Sequence, residues 1–371
     1  MMKSKVSLLL IKTLVCIAFL CFFELAALVA FELFLPKGYE NVRSVLSNEQ
    51  SAGPIYQNTS PQAYLLYIPT PGLTHQDKPI HNTHGYRGEL IPMDRKANKY
   101  RILCLGGSTT YGWKIKNSEK TYPSQLADLL REHLPAQYED VEVINAGIPF
   151  GTTAEILTHY LLKFSYYRPD LVIINTGGND ALVMTLPFYH PDYSHTRRQM
   201  SEIKPLPRMG QMMMKSRLAA LFLLPMIQGV PPDKVTFMES NPLQPPEAAW
   251  YPRHKPKRYR DHYPNIPQSE NAFAHNMDIL LNVMVNDGIK VILMPFLEAE
   301  KNQYSPALRE GFEQNRRIMK ELSNKYNVQY VPFEQRHISP KHWQDDCHLN
   351  ADGARQKARV LLPAILSLMQ D

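Results

Sequence analysis

Residues 100–108 read Tyr-Arg-Ile-Leu-Cys-Leu-Gly-Gly-Ser, a short apolar run that closes on two glycines and a hydroxyl. A continuous apolar run of this length predicts a strand buried on both faces, as in a parallel sheet. Beyond it, Tyr122, Leu126, Leu129, Leu130 and Leu134 recur at the spacing of one helical face. The unit then repeats. Residues 141–145 (VEVIN) predict a second strand, Ile156, Leu157, Tyr160, Leu161 and Phe164 the next helix, and 171–175 (LVIIN) a third strand. Over residues 181–270, which hold almost half of the prolines, the rhythm is lost. It resumes with a helix carrying Phe273, Met277, Leu280, Leu281 and Met284, strands at 291–294 and 328–331 with a helix over 308–326 between them, and a last helix carrying Ala354, Ala358, Leu361, Leu362 and Ile365. Alternating strand and helix predicts a three-layer α/β/α fold on a five-stranded parallel sheet, with 181–270 as an insertion at its edge or mouth.

Composition agrees with one large folded unit. Of 371 residues, 44% are apolar and 20% charged, which excludes disorder as the main state. A net charge of +6 spread over this length does not indicate nucleic-acid binding. The four Cys include Cys16 and Cys21 in the apolar N-terminus, leaving Cys104 and Cys347 elsewhere, so no disulfide framework is expected.

The N-terminus carries its own signal. Residues 6–35 form an apolar stretch that as a helix reaches roughly 45 Å, more than the roughly 30 Å hydrocarbon core. Lys3 and Lys5 precede it, so the positive-inside bias keeps 1–5 in the cytoplasm and places the bulk in the periplasm or outside the cell. A cleaved leader is the competing reading, but the run exceeds an ordinary h-region and no A-x-A site closes it. The expected organisation is a stub over 1–5, a transmembrane anchor over 6–35, an extended arm over 36–99 and the main α/β domain over 100–371. Glu24 is awkward at membrane depth. It is either protonated or near an interface, or it serves helix association.

In an open parallel sheet, ligands bind beyond the carboxyl ends of the strands. The residues there form a pattern: Gly106-Gly107-Ser108 after the first strand, Asn145-Ala146-Gly147 after the second, Gly177-Gly178-Asn179-Asp180 after the third, and Asp345-Asp346-Cys347-His348 after the fifth. Acyl transfer needs this inventory: a hydroxyl nucleophile (Ser108), a base (His348), a carboxylate to hold the base (Asp345, with Asp346 its rival) and oxyanion donors. Those donors are expected from the Ser108 and Gly147 N–H groups and the Asn179 amide. Each piece alone has a plainer reading as a turn, a phosphate loop or a helix cap. It is their joint occurrence, each at a strand end, that points to a site.

These four blocks, in this order, resemble the SGNH or GDSL hydrolase family over residues 100–180 and 270–368. The resemblance implies a flavodoxin-like sheet, a serine after the first strand, Gly and Asn in the oxyanion hole, a D-x-x-H segment supplying the rest of a Ser-His-Asp triad, and no metal or organic cofactor. Gly107 stands where the name-giving motif has Asp. The Asn82-Thr83-His84-Gly85-Tyr86-Arg87-Gly88 segment resembles the lead-in of membrane-anchored bacterial members.

Other motif classes are absent: no G-x-S-x-G, P-loop, H-E-x-x-H or paired C-x-x-C occurs. His81 and His84 form an H-x-x-H that reads as a loop pair. Within the insertion, 209–227 contains the apolar run LAALFLLPMI, suited to packing over the site or dipping into a membrane surface. Residues 250–260 alternate aromatic and cationic groups, and Trp250, Tyr251, Arg258 and Tyr259 are candidates to stack sugar rings and attract anions. The expected activity is ester hydrolysis on an acylated glycan, O-acetylated polysaccharide first and a lipid ester second. An O-acyltransferase using the same triad, and a non-catalytic glycan-binding or assembly protein, are the alternatives.

Overall fold

A computed structural model of the chain describes residues 2–34, 59–62, 64–75, 78–185, 189–193, 216, 218, 266–267, 270–302 and 304–370. The chain divides into two units, Met1–Gln57 with Ser201–Asn241, and Asn58–Met200 with Pro242–Asp371.

The first unit holds helix α1 (Met2–Phe34). Its segment Lys12–Ala30 is, among the described residues, the one helix long and apolar enough to cross a membrane. Glu24 is not left bare on it: its carboxylate accepts hydrogen bonds from Ser216 Oγ at 2.8 Å and the Leu218 amide at 3.1 Å. These two residues belong to the stretch expected to pack over the site. The rest of that stretch lies outside the described residues. Trp250, Tyr251, Arg258 and Tyr259 lie outside the described residues.

The second unit begins with two small antiparallel hairpins, β1 (Thr59–Gln62) with β2 (Leu66–Pro69) and β3 (Thr74–His75) with β4 (Lys78–Pro79). There follow β5 (Lys99–Gly106), a short helix α2 (Ser108–Tyr111), α3 (Tyr122–Arg131), β6 (Asp140–Gly147), α4 (Thr153–Leu162), β7 (Leu171–Thr176) and α5 (Gly178–Met184). After the insertion come α6 (Ala272–Asn286), β8 (Lys290–Pro295), α7 (Pro306–Tyr326), β9 (Gln329–Tyr330) and α8 (Ala351–Gln370). The five strands from β5 onward pair in parallel in the order β6-β5-β7-β8-β9. Strands β5 and β7 are central, and their fully buried Ile102, Leu103, Leu105 and Leu171–Ile174 account for the uninterrupted apolar runs. One layer packs α4, α6 and α7 on the sheet and the other packs α3 and α8.

Residues 59–99 are not an arm apart from the domain. Tyr67 donates to the Pro149 carbonyl at 2.9 Å, and the imidazole of His81 lies 2.7 Å from the Tyr111 hydroxyl and 2.8 Å from the Thr70 carbonyl. His84 Nδ1 is 2.6 Å from the Tyr167 hydroxyl, so the two histidines face different partners. Arg87 goes furthest inward. Its guanidinium, only 4% exposed, donates to the carbonyls of Tyr111, Gly112 (2.7 Å) and Ile115 and sits over the Tyr111 ring. It thereby satisfies the carbonyls that α2 and the loop after it leave open. Arg87→Ala strands these buried acceptors at about 1–3 kcal/mol each. We expect a loss of at least about 3 kcal/mol, read as a lowered midpoint in thermal unfolding followed by circular dichroism.

Candidate active site

The site forms where β5 gives way to α2. Gly107 caps the helix, so Ser108 is its first residue and its N–H has no partner within the helix. Gly106 and Gly107 are small for a reason: a Cβ on Gly106 would lie 2.3 Å from the Asn175 carbonyl oxygen, and one on Gly107 would lie 2.8 Å from Asn179 Nδ2. The second of these explains why glycine precedes the serine here, since a side chain would push the Asn179 amide aside.

His348 arrives from the loop before α8. Its Nε2 stands 2.9 Å from Ser108 Oγ, and its Nδ1 is 2.8 Å from Asp345 Oδ2 and 2.9 Å from Oδ1. The D-x-x-H spacing works because Asp345 Oδ1 also accepts the backbone N–H groups of Cys347 (3.0 Å) and His348 (2.8 Å), closing a tight turn that presents the imidazole to its own orienting carboxylate. Asp345 therefore holds the histidine, while Asp346 contributes its backbone carbonyl to the Ala299 amide. Lys114 Nζ binds Asp345 Oδ2 from the other side at 2.7 Å. Lys114 reaches it from a left-handed backbone, φ 66°, in the loop that Arg87 secures.

The electrostatics follow from these contacts. Burial alone would raise the Asp345 carboxyl, but the His348 ring, Lys114 and the Cys347 amide outweigh it and hold Asp345 well below the usual carboxylate range. Burial alone would lower His348; the Asp345 hydrogen bond and the neighbouring Cys347 reverse this and push it up to about 9. With Asp345 at Nδ1, the neutral imidazole carries its proton there and presents the Nε2 lone pair to the serine hydroxyl.

Asn179 reaches the same spot from the first turn of α5. One of its Nδ2 hydrogens goes to the Gly151 carbonyl at 2.9 Å, which leaves it a second donor hydrogen. Its neighbour Asp180 anchors that turn, accepting from the Thr153 amide (3.0 Å), Thr153 Oγ1 (2.5 Å) and the Tyr193 hydroxyl (2.8 Å). Burial nevertheless pushes Asp180 up to about 6.

Gly147 is not brought to the site as a donor, which corrects the reading from sequence. Its N–H donates to Asn145 Oδ1 at 3.1 Å, and a Cβ there would sit 2.1 Å from the Tyr111 amide nitrogen. It is a glycine because α2 packs directly against the end of β6. The glycine next to Asn179 is Gly151, four residues on. Its N–H closes a turn to Ile148, so what it offers Asn179 is its carbonyl. With Gly147 turned to Asn145, the Ser108 N–H and the second Asn179 N–H are the candidate donors. Asn179→Ala is expected to lower kcat about 10²–10³-fold with little change in KM, as a donor felt only by the developing oxyanion would; steady-state kinetics on an aryl ester measure it.

Lys357 was not foreseen. It lies on the apolar stripe of α8, between Ala354 and Leu361, and is 1% exposed. Its Nζ donates to Asn175 Oδ1 at 2.5 Å, lies 4.2 Å from the Tyr122 ring centroid, and is pulled by burial down to about 7. Asn175 in turn accepts from Thr109 Oγ1 at 3.1 Å and donates to the Met294 and Pro295 carbonyls, so this network ties the serine turn to the ends of β7 and β8. Cys104 is fully buried on β5, its thiol pushed up to about 12 by burial. A small cleft beside Ser108 and His348 is lined by Trp113, Ile115, Tyr122 and Leu349.

An alcohol activated by an oriented imidazole, beside two N–H donors, can attack a carbonyl and hold the resulting oxyanion. Comparisons with known proteins give the following likenesses. An arylesterase of Vibrio mimicus is 39% identical over 82 residues, a match spanning 22% of this chain and 38% of that protein. A lipase/acylhydrolase from Enterococcus faecalis superposes with a TM-score of 0.42 at 14% identity, covering 72% of this chain and 96% of its own. An acetyl xylan esterase from Geobacillus stearothermophilus gives 0.42 at 15%, covering 72% and 94%. The model of the GDSL-like lipase/acylhydrolase family matches residues 104–356, from β5 through the D-x-x-H turn into α8, and the chain belongs to that family.

Proposed function

We propose that the protein is a serine ester hydrolase held at a membrane by α1, acting outside the cytoplasm on short acyl esters of a glycan. The observation that carries this reading is the continuous relay from Ser108 Oγ through His348 to Asp345, at 2.9 and 2.8 Å. In the mechanism, Ser108 Oγ attacks the ester carbonyl while His348 Nε2 takes its proton. The oxyanion is received by the Ser108 and Asn179 N–H groups, and the charged imidazole is steadied by Asp345, itself held by Lys114. His348 returns the proton to the leaving alcohol, and the acyl-enzyme is resolved by water activated in the same way.

The partial likeness to an arylesterase supports ester chemistry. The small cleft beside Ser108 favours an acetyl-sized acyl group. The apolar Lys12–Ala30 segment, with the basic residues before it, supports the anchor and its orientation.

The test uses the full-length protein in detergent. A fluorophosphonate probe is expected to label Ser108, located by peptide mass spectrometry, and acetate is expected to be released from aryl acetates and acetylated polysaccharide. Labelling elsewhere, with no ester of any chain length hydrolysed, would overturn the reading. Release confined to long-chain esters would replace the glycan with a lipid.

A further inference from the structure

Tyr193 belongs to the stretch that interrupts the strand–helix rhythm, yet its side chain is fully buried and its hydroxyl donates to Asp180 Oδ1 at 2.8 Å. Its backbone is left-handed, φ 59°. A bulky residue keeps such a conformation only where its surroundings hold it there. The Tyr189 ring packs edge-on against it, with centroids 6.3 Å apart, and the Tyr189 hydroxyl accepts from the Ala272 amide at 3.0 Å and donates to the Glu270 carbonyl at 2.8 Å. The two ends of the insertion are thereby joined beside Tyr193.

Asn179 and Asp180 are neighbours in the first turn of α5, and each is tied to the start of α4. Asn179 Nδ2 donates to the Gly151 carbonyl at 2.9 Å. Two residues on, Thr153 donates to Asp180 Oδ1 through its amide at 3.0 Å and its hydroxyl at 2.5 Å. These two links run side by side and together fix where the Asn179 carboxamide stands. Asp180 Oδ1 is their outer anchor, because the Thr153 amide, the Thr153 hydroxyl and the Tyr193 hydroxyl converge on that one buried atom. Asn276 donates to Thr153 Oγ1 at 3.1 Å and extends the network to α6, the helix that follows the insertion.

We propose that Tyr193 is a positioning residue for the oxyanion hole: acting through Asp180, it fixes the turn of α5 that carries Asn179, so the root of the insertion sets how well the developing oxyanion is held. The inference rests on the hydrolytic reading above and on Asn179 as an oxyanion donor. A phenylalanine at this position keeps the packing and removes one of the three donors described for Asp180 Oδ1. The α5 turn is then freer to rotate about the Thr153 contact. A displacement of a few tenths of an ångström at Asn179 Nδ2 is felt in the transition state, where the donor must meet the new charge, and little in the bound ester. A residue of the insertion thus acts on kcat without touching substrate.

The experiment measures steady-state hydrolysis of an aryl acetate by full-length protein in detergent, as wild type, Tyr193→Phe, Asn179→Ala and the double variant. Tyr193→Phe is expected to lower kcat about tenfold with KM within about twofold of wild type. Added to Asn179→Ala, it should lower kcat by less than about twofold further, because the donor it positions is already gone. An undiminished tenfold loss in the double variant, or a raised KM with kcat unchanged, overturns the proposal. A second readout needs no turnover: hydrogen–deuterium exchange followed by peptide mass spectrometry should be faster over 151–155 and 177–181 in Tyr193→Phe, with β5 and β8 exchanging as in wild type. Exchange that is unchanged in those two turns, or faster throughout the sheet, makes Tyr193 an ordinary packing residue and overturns the proposal too. Faster exchange confined to the two turns, in a protein that hydrolyses no ester, keeps the link from Tyr193 to the Asn179 turn and removes the hydrolase reading.

Discussion

Ser108→Ala is expected to reduce kcat on an aryl acetate by roughly 10⁵- to 10⁶-fold, the largest single effect at the site. The reason lies in how the groups depend on one another. His348 Nε2 stands 2.9 Å from Ser108 Oγ and is held from behind by Asp345, and in the proposed mechanism its task is removal of that hydroxyl's proton. With the hydroxyl gone the imidazole has nothing to activate in place. What remains is binding plus the polarising donors of the Ser108 backbone and Asn179, which an alanine in place of the serine leaves intact. The double variant Ser108→Ala/His348→Ala should fall no further than Ser108→Ala alone, because the two residues act as one unit. Burst-phase kinetics provide the check. Wild-type protein should release one equivalent of phenol ahead of the steady state if deacylation is slower, and neither variant should show it. A double variant much slower than the single would mean that His348 serves a nucleophile other than Ser108.

The main sheet was legible because its strands are buried on both faces. Runs such as RILCLGG and LVIIN leave no polar alternation to confuse with an edge strand, and β5 and β7 both lie inside the sheet, away from its edges. The serine and D-x-x-H blocks were legible because they are local: Ser108 opens a helix at a strand end, and Asp345 reaches His348 within one turn. Gly147 misled for the complementary reason. A glycine after a strand signals a close approach, but the sequence does not say whether a substrate or α2 is approaching, and here it is the Tyr111 backbone. The signal for Gly151 was a second glycine before Thr152-Thr153-Ala154-Glu155, the capping box that opens α4. Lys357 also left a trace, a cation on an otherwise apolar helical stripe. Lys114 left none and Arg87 only its place in the 82–88 segment, since their partners, Asp345 and the carbonyls after α2, are brought to them only by the tertiary fold.

Asp345→Asn is expected to lower the plateau of kcat by about 10⁴-fold and to move the pH dependence of what remains. Rate requires His348 neutral, so activity rises as pH climbs through its pKa. In the wild type that group is pushed up to about 9, largely by the Asp345 hydrogen bond acting against burial, so the rate should still be increasing well above the ordinary histidine value. Replacing the carboxylate by an amide would remove the charge that favours the imidazolium, leaving burial to dominate, and the acid limb should shift to lower pH. The plateau falls for a separate reason. An asparagine can offer its NH₂ to the ring, which favours the tautomer with its proton on Nε2, and it cannot stabilise the imidazolium formed in the transition state. Lys114 Nζ would at the same time lose its anionic partner, so the Lys114 loop is freed along with the ring. Profiles of kcat/KM against pH for wild type, Asp345→Asn and Asp346→Asn decide the matter. Asp346→Asn should leave the acid limb where it is, and a shift of that limb in Asp346→Asn alone would transfer the orienting role to the neighbouring carboxylate.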